Sequence, residues 1–353
     1  MEGKYIYGII IASNETAWNI PGLGSPSPVY TIASQELGCV VSDYAGVEFG
    51  SMSKQEIVRC LLAHQMVVEH VMREHTVLPV KFGTILAATE EVHGLLSQGH
   101  PLFVDALAWI QDKVEVEVAA TWNTEQVLRE ISTETEIVRV REAIASRPGY
   151  QPLEQRIQLG QMVKASMDQR RDSYRERMIE FLKPVAIDAQ PNALVSDEMV
   201  MNVAFLVEKA TQDEFDSRVR QLNDLFQNQI DFRIIGPLPP YSFATVEITR
   251  PIPEKIEEAR QLLQLDEVIS EPEVRKAYRH LAAKTHPDRK PGDEMAKARF
   301  ATLRQASDLL IAYCRSQGES GGRWLINVRR TKDEEVQHLS FAEIGGVAGA
   351  ADG

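Results

Sequence analysis

Residues Ser53–Leu86 read SKQEIVRCLLAHQMVVEHVMREHTVLPVKFGTIL, and the fold class turns on this stretch. Apolar residues recur at Ile57, Leu61, Val68, Val71 and Met72, with Val58, Leu62 and Val67 beside them. Spacing of three and four predicts a helix with one broad buried face, packed on a sheet built from the strand-like runs around it. Ser53 with Glu56 three residues on is a capping box, which sets the helix start. Val77-Leu78-Pro79 ends the helix, and the chain leaves through an apolar segment that turns at Gly83. The stretch carries no active-site pattern. It reads as the packing unit of an α+β domain.

Working outward, Tyr5–Ala12 is a short apolar run suited to a buried strand. Pro21–Pro28 is dense in turn residues, and Val29–Ala33 and Cys39–Tyr44 read as two strands around a turn at Gln35–Gly38. Beyond the helix, Thr89–Ser97 and Pro101–Ile110 are helical, and Lys113–Ala119 (KVEVEVA) alternates as a half-buried strand. Residues 1–122 are therefore expected to form a ferredoxin-like α+β domain, and 123–183 a linker or hairpin of long charged helices. A second α+β domain is expected over 184–250, with strands at Val185–Ala189, Met199–Glu208, Phe232–Ile235 and Tyr241–Ile248 and a helix at Gln212–Gln229. Pro251 and Pro253 mark a boundary. Residues 251–317 are helical in pattern, and 318–353 read as a Gly/Ala-rich flexible tail in which Trp324-Leu325-Ile326 is a small docking element. The fold class is thus α+β: two ferredoxin-like-type domains joined by long helices, then an all-α hairpin.

With 353 residues, two or three domains are expected. A net charge of −13 argues against a general nucleic-acid binder, although it leaves room for a local basic patch. Cys39, Cys60 and Cys314 form no CxxC pair, so reduced thiols are expected rather than disulfides or a zinc ribbon. The opening MEGKYIYGIIIASNET lacks a small-residue cleavage site, and no apolar run is long enough to span a bilayer; neither a signal peptide nor membrane partnership is expected. His64, His70 and His75 accompany Glu69 and Glu74, but HExxH is absent and one helical face cannot present all three histidines. They are expected to face solvent or cap the helix, with no metal or other cofactor. Glu90-Glu91 and Glu257-Glu258 read as helix surface, and no group suited to catalysis converges.

In the C-terminal third, Ser270 caps a helix with Glu273 three residues later and Pro272 in its first turn. Val274, Ala277, Tyr278 and Leu281 form its inward stripe, while Arg275, Lys276, Arg279 and Lys284 face outward. His286-Pro287-Asp288 breaks the helix and offers an imidazole and a carboxylate on a tight loop. Met295, Phe300, Leu303, Leu309 and Leu310 supply the facing helix of an antiparallel hairpin.

Two family resemblances fit these residues. Leu62-Ala63-His64-Gln65, Val77–Thr84, Tyr5–Ile9 and Gly236–Phe243 (GPLPPYSF) resemble the gas vesicle protein GvpF/GvpL family over residues 4–250. That resemblance implies two α+β domains, a cytoplasmic accessory role in gas vesicle assembly, contact with the small apolar shell protein and other gas vesicle accessory proteins, and no enzymatic activity. Residues 254–316 resemble the J-domain of Hsp40 co-chaperones, through the basic helix, His286-Pro287-Asp288, Ala298-Arg299-Phe300 and Gln305–Leu310. The second resemblance implies an Hsp70 partner: Arg275, Lys276, Arg279 and Lys284 would dock on its acidic groove and the His286-Pro287-Asp288 loop would stimulate its ATPase. Two other readings stand beside this one. The hairpin could be purely structural in a minor shell or nucleation component, or the sheet could carry a ligand or enzyme site.

Overall fold

The computed structural model describes residues 2–23, 27–145, 153–227, 229–266, 268–285, 294–316 and 324–330. β1 (Glu2–Ile11), β2 (Ala17–Pro21), β3 (Pro28–Ser34) and β4 (Leu37–Ala45) are followed by α1 (Lys54–Val71), β5 (Leu78–Pro79), β6 (Ile85–Leu86) and α2 (Thr89–Ile110). The strands form one antiparallel sheet in the order β2-β3-β4-β1-β5, with β6 also on β1. β1 lies at its centre because alternate residues are apolar on both faces. Ile6 and Ile9 join the α2 core, while Tyr5 and Tyr7 turn the other way towards His64 of α1.

Two differences from the sequence expectation concern the helices. α2 runs unbroken through Pro101, whereas two helices were expected. Both halves bury side chains in one core, Leu95 and Leu96 before the proline and Phe103, Ala106 and Leu107 after it, and this outweighs the roughly 3 kcal/mol that an interior proline costs. α1 has the expected capping box but buries only His64, Val67, Val68 and Val71, all in its C-terminal half. Val58, Leu62 and Met66 stay 47%, 56% and 69% exposed, so the broad buried face belongs to α2 instead.

The chain then forms β7 (Lys113–Trp122), α3 (Thr124–Ile131), α4 (Thr135–Ala145), α5 (Leu153–Leu182), β8 (Asp188–Pro191), β9 (Met199–Glu208), α6 (Gln212–Leu225) and β10 (Ile230–Leu238). The second sheet is antiparallel in the order β10-β7-β9-β8. β7, expected with the N-terminal domain, is central here. Its buried Val114, Val116, Val118, Ala120 and Trp122 alternate along a strand matched by β9 from Lys113↔Glu208 to Thr121↔Met199. The strand expected over 185–189 starts later, because Lys183–Val185 forms a 3-10 turn containing Pro184.

β11 (Ala244–Thr249), α7 (Pro253–Leu262), α8 (Glu271–Thr285), α9 (Glu294–Ser316) and β12 (Leu325–Arg330) complete the order. The chain divides into two compact units, one of Met1–Gln111 with Ala244–Arg330 and the other of Asp112–Phe243. β11, expected in the second α+β domain, therefore belongs to the first unit. There Val246 bridges Val80 in parallel, Lys81 N–H donates to Val246 O at 2.9 Å, and Ala244 and Val246 enter the α2 core. Part of the expected flexible tail is also ordered: β12 pairs antiparallel with β11 from Ala244↔Arg330 to Thr249↔Leu325.

Candidate partner-docking surface

The C-terminal helices build their own small core. Ala259 and Leu263 from the α7 region, Val274 from α8 and Leu303, Ala306 and Leu310 from α9 are buried together, with Ala277, Tyr278 and Leu281 packed against them. Tyr278 and Phe300 rings lie 6.3 Å apart. α7 was legible only as helix; its apolar spacing at Ile256, Ala259 and Leu263 is the signal that it closes this core.

Glu273 Oε2 accepts from Ser270 N–H at 2.9 Å and Ser270 O–H at 2.7 Å, which fixes the start of α8. Glu271 brackets the hairpin: its Oε1 accepts from Arg275 at 2.8 Å on its own helix and from Arg315 at 2.9 Å near the end of α9. Arg315, then Arg275, hold this carboxyl at a pKa of about 2 despite partial burial. Arg275, Lys276 and Arg279 are exposed, as an interaction face requires, and Val274 is buried on the opposite side. Lys284 lies on α8, and His286, Pro287 and Asp288 lie outside the described residues.

Elsewhere His64 and Glu115 are buried, each within a hydrogen-bonded packing arrangement. His64 was expected to face solvent or cap the helix. It is 3% exposed, with Nδ1 2.9 Å from Tyr5 Oη among Tyr7 and Phe82, and desolvation pushes its pKa down to about 4. The reason is its position in the buried half of α1, over the aromatic face of β1. In the second unit, burial raises the Glu115 carboxyl to about 8, against the opposing pull of Ser242, whose N–H and O–H donate at 2.8 and 2.7 Å. Gly236 passes so close that a Cβ there would stand 3.0 Å from Glu115 O, and its φ of +148° is open to glycine alone. The GPLPPYSF run is thus folded around a buried acid on β7.

Among the described residues no group of three or more His, Cys, Asp or Glu could hold a metal ion, and no helix is long and apolar enough to cross a membrane. Cys39, Cys60 and Cys314 are free thiols, and burial raises the Cys39 pKa well above its ordinary range.

The class is thus a mixed helix-and-sheet scaffold in two units that carries a C-terminal helical element with exposed Arg275, Lys276 and Arg279 on α8. The comparisons with known proteins sharpen this. The chain belongs to the gas vesicle synthesis protein GvpL/GvpF family, whose model matches residues 3–245, and it carries a DnaJ domain, matched over residues 260–314. It is 30% identical over 241 residues to gas vesicle protein F of Streptomyces sp., spanning 68% of this chain and 98% of that protein. It is 24% identical over 247 residues to gas vesicle protein F of Dolichospermum flosaquae, again over 98% of the relative. Over 49 residues it is 45% identical to chaperone protein DnaJ of Acetobacter pasteurianus, covering 14% of this chain and 13% of that protein. The crystal structure of GvpF from Anabaena sp. aligns with a TM-score of 0.60 at 22% identity, covering 69% of this chain and 98% of that one. The family match ends at residue 245, so α7 to β12 lie beyond it.

Proposed function

We propose that the chain is a gas vesicle assembly accessory protein that binds the small apolar shell subunit and recruits an Hsp70 through its J-domain, stimulating ATP hydrolysis there. One observation carries the reading: the exposed Arg275, Lys276 and Arg279 lie on the helix that leads into His286-Pro287-Asp288, on a chain whose other part is a gas vesicle family protein. A cationic face suits an acidic groove on the ATPase, and steers its approach more than it adds raw affinity. The chain then acts by biasing its partner's conformation rather than by chemistry of its own. The α+β units supply the client-holding surface, in the cytoplasm at the assembling vesicle.

The test is co-purification with the shell protein, together with Hsp70 ATPase turnover in the presence of the full chain or its Asp288→Asn variant. Absence of shell-protein binding would remove the first half of the proposal. Equal stimulation by the variant would remove the second. A purely structural role for the helical region draws support from the seat of β12 in the core, and the point variant separates the two readings. Deleting residues 254–353 does not separate them, because it also strips Trp324 and Ile326 from the N-terminal core.

A further inference from the structure

The helical region is an insertion between two paired strands. Only residues 250–252 separate β11 from α7, and after α9 the chain returns to lie in register beside β11. Both ends of the J-domain therefore arise from the two-stranded β11–β12 sheet, which the Val80↔Val246 bridge joins to the edge of the N-terminal sheet.

The returning strand is seated firmly. Trp324 and Ile326 are 3% and 4% exposed and join the core that α2 forms with β1 and β4, with Val328 packed against it. Gln98 Nε2 of α2 donates to Trp324 O at 2.6 Å, and the Arg250 guanidinium lies 5.0 Å from the centre of the Trp324 ring. At the other end Glu247 of β11 accepts from Arg329 at 2.9 Å and from Lys81 at 2.8 Å, which ties β12 and the segment after β5 to one carboxylate. α9 packs on β12, and its half-buried Asp308 feels Arg304, Arg329 and Arg275 as well as the like charge of Glu247. The contacts join a core, a sheet edge and a helix. A flexible tether makes none of these.

We propose that residues 324–330 are a second anchor that mounts the J-domain on the N-terminal sheet, so that a recruited ATPase works at a fixed position relative to that sheet. The coupling to an ATPase rests on the function proposed above; the mounting does not. A domain held at one end by a short linker samples many orientations, and the effective concentration of whatever it brings is spread over them. A domain held at both ends on one sheet edge delivers its partner to one place. The anchor is then dispensable for stimulating the ATPase in solution and required for directing that activity to a client on the same chain.

The experiment separates mounting from recruitment. Spin labels on the exposed Asn14→Cys and Thr302→Cys, in a full-length chain lacking Cys60 and Cys314, report the distance between the sheet and α9. The unaltered anchor is expected to give one narrow distribution. Trp324→Ala/Ile326→Ala, and separately Asn327→Pro, which breaks the β11–β12 pairing but keeps the core side chains, are expected to widen it at least about two-fold. Retained hydrogen-exchange protection of β1 and β4, which share the core that Trp324 and Ile326 enter, shows that the altered unit is still folded. Both variants are expected to keep the Hsp70 stimulation of the parent and to lose gas vesicle formation in cells. A broad parental distribution, or variants as narrow as the parent, overturns the mounting. Variants with a widened distribution that still form vesicles normally overturn the coupling. A parent that fails to stimulate any Hsp70 overturns the function proposed above and leaves the distance result to stand or fall alone.

Discussion

Protonating His64 should destabilise the N-terminal unit by an amount that follows from its surroundings. The imidazole is 3% exposed, hydrogen-bonded to Tyr5, and enclosed by Tyr7 and Phe82, with a pKa lowered to about 4 by desolvation. In the unfolded chain the same group titrates near 6.5. The folded state therefore binds fewer protons, so this contribution to stability is full above about pH 6.5 and is lost as pH falls through about 4. A difference of roughly 2.5 pH units corresponds to about 3 kcal/mol, most of it gone by about pH 4.5. The assay is hydrogen exchange at the Ile6 and Val41 amides, at about pH 7.5 and about pH 4.5 after correction for intrinsic rates. Other histidines lie in the same unit, so the comparison is with His64→Gln, which removes only this proton. The native chain should lose about 2–3 kcal/mol more than the variant between the two conditions. Equal losses would show that His64 charges freely in the fold, and the enclosed-core account of His64 would fail.

Three further outcomes follow from named groups. Glu115 has the opposite sign: its carboxyl pKa is raised to about 8, so its contribution is full below about pH 4.5 and is lost as pH rises through about 8. Urea unfolding of the Asp112–Phe243 unit should accordingly show a stability fall between about pH 5 and about pH 9 that Glu115→Gln flattens. Glu271→Gln keeps the shape of the residue that bridges Arg275 and Arg315 but removes its charge; exchange protection of α8 and α9 should drop by about 1–2 kcal/mol at neutral pH, with stronger effect at low salt. Lys276→Glu/Arg279→Glu reverses two exposed charges without touching the hairpin core, so the melting profile should stay within about 0.5 kcal/mol of the parent while Hsp70 association slows about ten-fold or more at low salt.

The sequence made most elements visible because their periodicities are local. β4, β9 and α6 lie close to where alternation or helical spacing puts them, and the Ser53–Glu56 and Ser270–Glu273 caps form as the residues suggest. Which element joins which unit was hidden, because that depends on pairings between distant segments. Lys113–Trp122 alternates equally well for either sheet, and only its long register with β9 places it in the second. Tyr241–Ile248 read as a further strand of the second domain, yet Pro239, Pro240 and the Ser242–Glu115 hydrogen bonds turn the chain out of that sheet before β11 starts. β12 was read as docking residues in a tail since six residues among glycines give little periodicity; its partner lies about 80 positions away, as in Val246↔Val328. The exposure of Arg275, Lys276 and Arg279 on α8 was legible, because Val274 turned into the core leaves them towards solvent, while the side chain of Lys284 lies outside the described residues. The Glu271 bracket needed the far end of α9, and spacing along α8 alone could not supply it.

The most direct test of the central claim is single-turnover ATP hydrolysis by an Hsp70 mixed with the full chain or with its Asp288→Asn variant. The account predicts faster hydrolysis with the parent and the unstimulated rate with the variant, although the variant keeps the exposed basic face of α8. Equal rates with both chains, whether raised or unstimulated, would contradict it.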